Sequence, residues 1–134
     1  MPQSPDTEPA PRWARVLIVD DEPHLLRFAS VVLLEAGYLV DMAADGQEAL
    51  DLVRLRGQRL DAVVSDVVMP RMNGVQLMET LSVWDPDLPV VLMSAYGSDA
   101  LSDRGIPAPC GVLVKPFPPE RLLAEVQRCL RTAA

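Results

Sequence analysis

Three acidic residues, a serine and a lysine stand out because each follows or ends a short apolar run. Asp20 and Asp21 follow Arg15–Val19 (RVLIV), Asp66 follows Ala62–Ser65 (AVVS), and Lys115 follows Gly111–Val114 (GVLV). Ser94 follows a fourth run, Pro89–Met93 (PVVLM). A carboxylate at the carboxyl end of a buried strand is an unusual place for charge. In an open parallel α/β sheet, that edge is where ligands bind. Three carboxylates within a few ångströms repel one another unless a cation neutralises them. A hard divalent ion does so, and Mg2+ favours a few carboxylates plus waters and phosphate oxygens over a full protein cage. A carboxylate can also attack a phosphoryl group and carry it as an acyl phosphate. Such a transfer needs positioning and charge stabilisation more than covalent help. Asp66 is therefore the candidate nucleophile. Lys115 is a mobile point charge suited to one phosphoryl oxygen, and the Ser94 hydroxyl can donate to another.

Each of these residues has a plainer reading alone. An Asp-Asp pair after a strand is usually a solvated turn or a helix cap, and a single serine says almost nothing. Their placement at the ends of four different strands is what argues for a site. His24, the only histidine, falls in the first turn of a helix and reads as exposed and idle. Trp13 and Trp84 read as packing or boundary residues.

The elements that must position these groups alternate along the chain. Residues 1–13, with Pro2, Pro5, Pro9 and Pro11, read as a disordered lead-in or linker. The folded domain is expected over 14–134. Arg15–Val19 is a buried strand, and Pro23 suits the first turn of a helix that runs to about Glu35. Leu25, Phe28, Ala29, Val32 and Leu33 lie on its inner face at helical spacing, and Gly37 ends it. A second strand covers Leu39–Ala43. Asp45 caps a second helix, with Glu48 three residues on as in a capping box; Ala49, Leu52 and Val53 form its packing face. A third strand leads to Asp66, and Asn73-Gly74 opens a third helix to Val83. After the fourth strand, Ser98–Arg104 is long enough for about two helical turns, which Gly105, Pro107 and Pro109 cut short. The fifth strand, Gly111–Val114, precedes a last helix that starts at Pro118 or Pro119 and packs through Leu122, Leu123, Val126 and Leu130. Strands alternating with helices imply a parallel sheet covered on both faces, an α/β doubly wound architecture. A five-stranded order 2-1-3-4-5 is the common solution.

Bulk properties narrow the partners. The 134 residues suit one domain, and 49% are apolar, enough for a real core. The net charge of −7 repels phosphate backbones, and only 4% aromatic residues leave few stacking platforms, so no nucleic-acid partner is expected. No apolar run approaches the roughly 20 residues that span a bilayer, and no signal peptide is legible. A cytoplasmic protein without direct membrane contact is expected. Cys110 and Cys129 sit in no metal-type or redox-type spacing and are expected as reduced thiols.

Four stretches, VLIVDDEP (16–23), SDVVMPRMNG (65–74), VVLMSAYG (90–97) and VLVKPF (112–117), resemble the two-component response-regulator receiver domain. The resemblance runs from residue 15 to about 131. It implies a flavodoxin-like receiver fold, here with a truncated fourth helix. It implies that Asp66 accepts phosphate from a phosphohistidine on a histidine kinase, separate or covalently linked. It implies that Asp21, Asp66 and the Val68 backbone carbonyl bind Mg2+ directly while Asp20 acts through water, and that Ser94 and Lys115 contact the phosphoryl group. A cis Lys115–Pro116 bond is implied as well. The segment from Ser98 to Phe117 is similar to receivers at the C-termini of hybrid histidine kinases.

Two departures from the family pattern carry expectations. The switch aromatic of the fifth strand is replaced by Val112, so coupling between site and surface is expected to differ, with Tyr96 as a substitute ring. The shortened fourth helix argues for a monomer rather than the usual dimer across that face. Output is expected through a protein partner, and the chain is expected to be a signalling domain rather than an enzyme. Competing readings are a pseudo-receiver that binds partners without phosphate, and a Mg2+-dependent phosphohydrolase with an aspartyl-phosphate intermediate. The latter usually needs a cap domain, for which the chain has no spare residues.

In the resemblance, Val68 and Tyr96 flank the path by which water reaches the acyl phosphate. One is apolar and the other bulky, so slow to moderate self-dephosphorylation is expected. Introducing Val68→Asn with Tyr96→Glu should shorten the phosphorylated lifetime. An unchanged half-life would contradict this role.

Overall fold

The computed structural model describes residues 14–56, 60–95 and 109–133. Within them run β1 (Arg15–Val19), α1 (Pro23–Glu35), β2 (Leu39–Ala43), α2 (Gly46–Arg56), β3 (Ala62–Asp66), α3 (Gly74–Trp84), β4 (Val90–Ser94), β5 (Gly111–Val114) and α4 (Pro119–Ala133). The strands form one parallel sheet in the order β2-β1-β3-β4-β5, as expected. The short fourth helix expected over 98–104 lies outside the described residues, as do Tyr96 and the proline-rich 1–13.

The sheet divides the core in two because successive strand residues face opposite sides. Val16, Ile18, Val64, Met93 and Leu113 face α1 and α4, where Ala29, Leu33, Leu122 and Val126 close the layer. Leu17, Val19, Val63 and Leu92 face α2 and α3, where Ala49, Leu50, Leu77, Met78 and Leu81 complete the other. Burial on both faces is why the inner strands read as continuous apolar runs rather than alternating ones. Leu55, off the packing stripe of α2, is exposed. Trp84 is partly exposed at the end of α3, with the Arg54 guanidinium 5.0 Å from its ring centroid.

Helix ends follow local chemistry. Gly37 adopts φ 99°, open to glycine at no steric cost, and ends α1 in a Schellman motif. The Gly37 N–H donates to the Leu34 carbonyl at 3.0 Å and the Tyr38 N–H to that of Leu33 at 3.1 Å. Asp45 caps α2 by accepting from the Glu48 N–H at 2.8 Å. Asn73 and Gln76 exchange side-chain-to-backbone bonds in a full capping box on α3.

The cysteines correct an expectation. Cys110 and Cys129 are joined in a disulfide rather than free, with Cα atoms 5.9 Å apart. Their 19-residue separation matches no short motif. What brings them together is the return of α4 along β5, so the pair exists only in the folded topology.

Gly74 shows how tightly the site-bearing strand is packed. A Cβ there would lie 2.1 Å from the Asp66 carbonyl oxygen, a backbone atom that has little room to retreat. Gly74→Ala should therefore destabilise the chain by roughly 1–3 kcal/mol, the usual range for overpacking. Urea denaturation would measure it, and a loss below about 0.5 kcal/mol, ordinary for an unremarkable surface change, would contradict this account.

Candidate functional site

The site forms where β1, β3, β4 and β5 end on one edge of the sheet. β1 and β3 run side by side in register, Val19 opposite Ser65, so Asp20 and Asp66 emerge next to each other. β4 pairs on the far side of β3, with Asp66 opposite Met93. Ser94 therefore lies one residue beyond Asp66's partner. β5 pairs with β4, Val114 opposite Ser94, and the Lys115 N–H donates to the Ser94 carbonyl at 2.9 Å. That bond extends the ladder by one residue and aims the lysine back across the sheet edge. The Lys115–Pro116 peptide is cis, as expected.

Lys115 reaches two carboxylates. Its Nζ donates to Asp20 Oδ2 at 2.9 Å and lies 3.2 Å from Asp66 Oδ1. Asp20 is fully buried, and its other oxygen accepts the Glu22 N–H at 2.8 Å. That bond also settles the entry into α1, so the residue that holds the lysine also shapes the turn carrying Asp21. Asp21 is exposed. Asp20, Asp21 and Asp66 each present a carboxylate oxygen, all within 4.8 Å of one another. All-oxygen, carboxylate-rich donors suit a hard cation such as Mg2+ rather than a soft thiophilic metal.

The electrostatics match this crowding. Burial pushes the Asp66 carboxyl above the usual carboxylate range and the Asp20 charge pushes it further; Lys115 and the Val68 N–H offset only part. Burial pulls the Lys115 ammonium down. Its hydrogen bond and charge contacts with Asp20 and Asp66 outweigh that, and it is held above its ordinary value. Among the described residues the site is therefore an excess of negative charge pinned by the Lys115 cation.

Every expected site residue in the described regions lies at this edge or on the elements beside it. Asp20, Asp21, Asp66 and Lys115 converge. Ser94 is buried beside them in sheet register. Val68, two residues after Asp66, is 70% exposed. Val112 is half-buried in β5 and packs toward the α2–α3 layer, away from the carboxylates. His24 is exposed on α1.

The sequence reading missed a pair that anchors the loop after Asp66. Arg71 has φ 69°, a left-handed conformation rare outside glycine and asparagine. Its guanidinium pairs with Asp45, the cap of α2. That contact pulls the Asp45 carboxyl below its usual range. Beside it, a Cβ on Gly46 would come within 2.8 Å of the Met72 side chain, so the loop and the start of α2 are in close contact. Only Arg71's place in a Pro-Arg-Met-Asn-Gly turn hinted at this.

Comparison with known proteins agrees with the geometry. Residues 16–127 match the response regulator receiver domain. The sensor kinase CckA of Brucella abortus is 40% identical over 119 residues, which cover 87% of this chain and 12% of that protein. The chain spans about half the length of several response regulators that it matches. Among solved structures, the chemotaxis protein CheY4 of Vibrio cholerae is 35% identical with a TM-score of 0.78, covering 87% of this chain and 98% of that one. The response regulator TrrA of Thermotoga maritima, solved in complex with Mg2+ and BeF, is 30% identical with a TM-score of 0.76, at 87% and 98% coverage. Fold, strand-end residues and sequence similarity thus converge, and the chain belongs to the response regulator receiver family.

Proposed function

We propose that this chain is the phosphoacceptor of a two-component phosphorelay, with Asp66 taking a phosphoryl group from a phosphohistidine on a histidine kinase. The observation that carries this reading is Lys115 Nζ set between Asp20 and Asp66 at 2.9 and 3.2 Å. An Asp66 carboxylate oxygen attacks phosphorus, the bond from phosphorus to the histidine nitrogen breaks, and the imidazole keeps the electron pair and takes up a proton. An acyl phosphate on Asp66 results. Lys115 shifts its contact from carboxylate to a phosphoryl oxygen, and the Ser94 hydroxyl donates to another. Asp21, Asp66 and the Val68 carbonyl would hold Mg2+. Asp20, whose two oxygens are already engaged, would act through water. When bound, the ion supplies positive charge against the phosphoryl oxygens.

Residues 14–134 form the receiver in this reading, and 1–13 a linker. The chain acts as a monomer in the cytoplasm, either free-standing or as part of a hybrid kinase, and hands its signal to a protein partner by a change of surface. With Val112 where a switch ring would stand, that change runs through other contacts. The chain's own chemistry is limited to gaining and losing its phosphate.

Incubation with a small phosphodonor and Mg2+, followed by intact mass measurement, should give one phosphate adduct that is absent from Asp66→Ala. An adduct of equal yield on the variant, or none on either, would contradict the proposal.

The raised Asp66 value gives a second outcome. A folded-state value above the unfolded one means that ionising Asp66 costs stability. That cost is fully present above the raised value and fades as the pH falls through it. Asp66→Asn should therefore stabilise the chain at pH 7, and the gain should vanish as the pH approaches the ordinary value of 3.8. Urea denaturation across that window would read it; a gain independent of pH would contradict the assignment.

A further inference from the structure

The disulfide lies at the opposite end of β5 from Lys115. Cys110 is half-buried just before β5, and its N–H donates to the Val90 carbonyl at 2.8 Å. Cys129 is fully buried on α4. Their Cα separation of 5.9 Å falls in the range that closes without backbone movement. Arg128 folds back over the pair. Its Nη2 donates to the Cys110 carbonyl at 2.7 Å and to Glu125 Oε1 at 3.0 Å, and lies 3.7 Å from Cys129 Sγ. Gly111 permits this approach, since a Cβ there would come within 2.8 Å of that same nitrogen.

Arg128, which also pairs with Glu125, lies beside the Cys129 sulfur, and a cation there favours the Cys129 thiolate, the form that attacks when it resolves. Cys110 is the less buried residue of the two, which divides the roles: a small oxidant meets Cys110, and Cys129 resolves. We propose that Cys110 and Cys129 form a reversible redox modification site, tuned by Arg128, which staples α4 to the start of β5. With a peroxide as oxidant, the Cys110 thiolate attacks an oxygen, the O–O bond breaks, and hydroxide leaves and takes up the proton that the thiol gave up, so a sulfenic acid and one water result. The Cys129 thiolate then attacks the Cys110 sulfur and expels hydroxide, which takes up a proton. In sum, two thiols and one hydrogen peroxide give one disulfide and two waters. A dithiol reverses the closure by exchange, becoming a disulfide itself.

The test uses the full chain, reduced with dithiothreitol, freed of it and exposed to hydrogen peroxide. Timed samples are quenched with a maleimide and weighed intact. Both thiols should disappear together, with loss of two hydrogens and no gain of oxygen, and dithiothreitol should restore both without denaturant. The closed form should melt about 10 °C above the open one, since closing the loop removes freedom from the unfolded chain. Arg128→Ala should close about fivefold more slowly at neutral pH, and Arg128→Lys should recover most of the rate. Cys110→Ser should leave Cys129 open to alkylation after unfolding. A bond that opens only in denaturant, thiols that survive peroxide as long as free cysteine does, or an Arg128→Ala variant that closes at the original rate would each overturn the proposal.

Discussion

A lysine held between two carboxylates is the contact on which the site depends. Asp20 is buried, and Lys115 is the cation that pairs with it and with Asp66 among the described residues. Burying one carboxylate beside others is expensive, and a single ammonium does not fully offset it; the raised Asp66 value expresses the remainder. The arrangement favours added positive charge, and in the proposed phosphotransfer the phosphoryl oxygens would compete for the same lysine. Stability is given up where chemistry is needed.

The fold exists in the form that makes this contact available. Parallel strands send their carboxyl ends to one edge, and the order β2-β1-β3-β4-β5 places β1 beside β3 and β5 one strand beyond β4. Lys115 and Asp20 are 95 residues apart in sequence and 2.9 Å apart in space. The lysine's approach rests on a backbone bond to Ser94, and that of Asp20 on its bond to the Glu22 N–H. The absence of a side chain at Gly74 lets α3 begin directly against Asp66.

Much of this was legible in the sequence. Parallel strands buried on both sides read as unbroken apolar runs, and Gly37, Asp45 and Asn73 announced helix ends by their own chemistry. The site was legible because its residues cluster at strand ends, a position that sequence periodicity locates well. Contacts set by tertiary placement were not. No spacing rule joins Cys110 to Cys129, because β5 and α4 must first pack. An arginine at φ 69° contradicts the propensity of its own residue type; its pairing with Asp45 supplies a compensation that only the folded chain contains.

The central claim is that excess negative charge at this edge, only partly neutralised by Lys115, recruits a divalent cation. Calorimetric titration of Mg2+ into the unaltered chain and into Lys115→Met tests it directly. The account predicts one site in both, bound at least as tightly by the variant, because removing a neighbouring positive charge deepens the local negative potential. No Mg2+ binding to the unaltered chain, or binding abolished in a folded Lys115→Met variant, would contradict it.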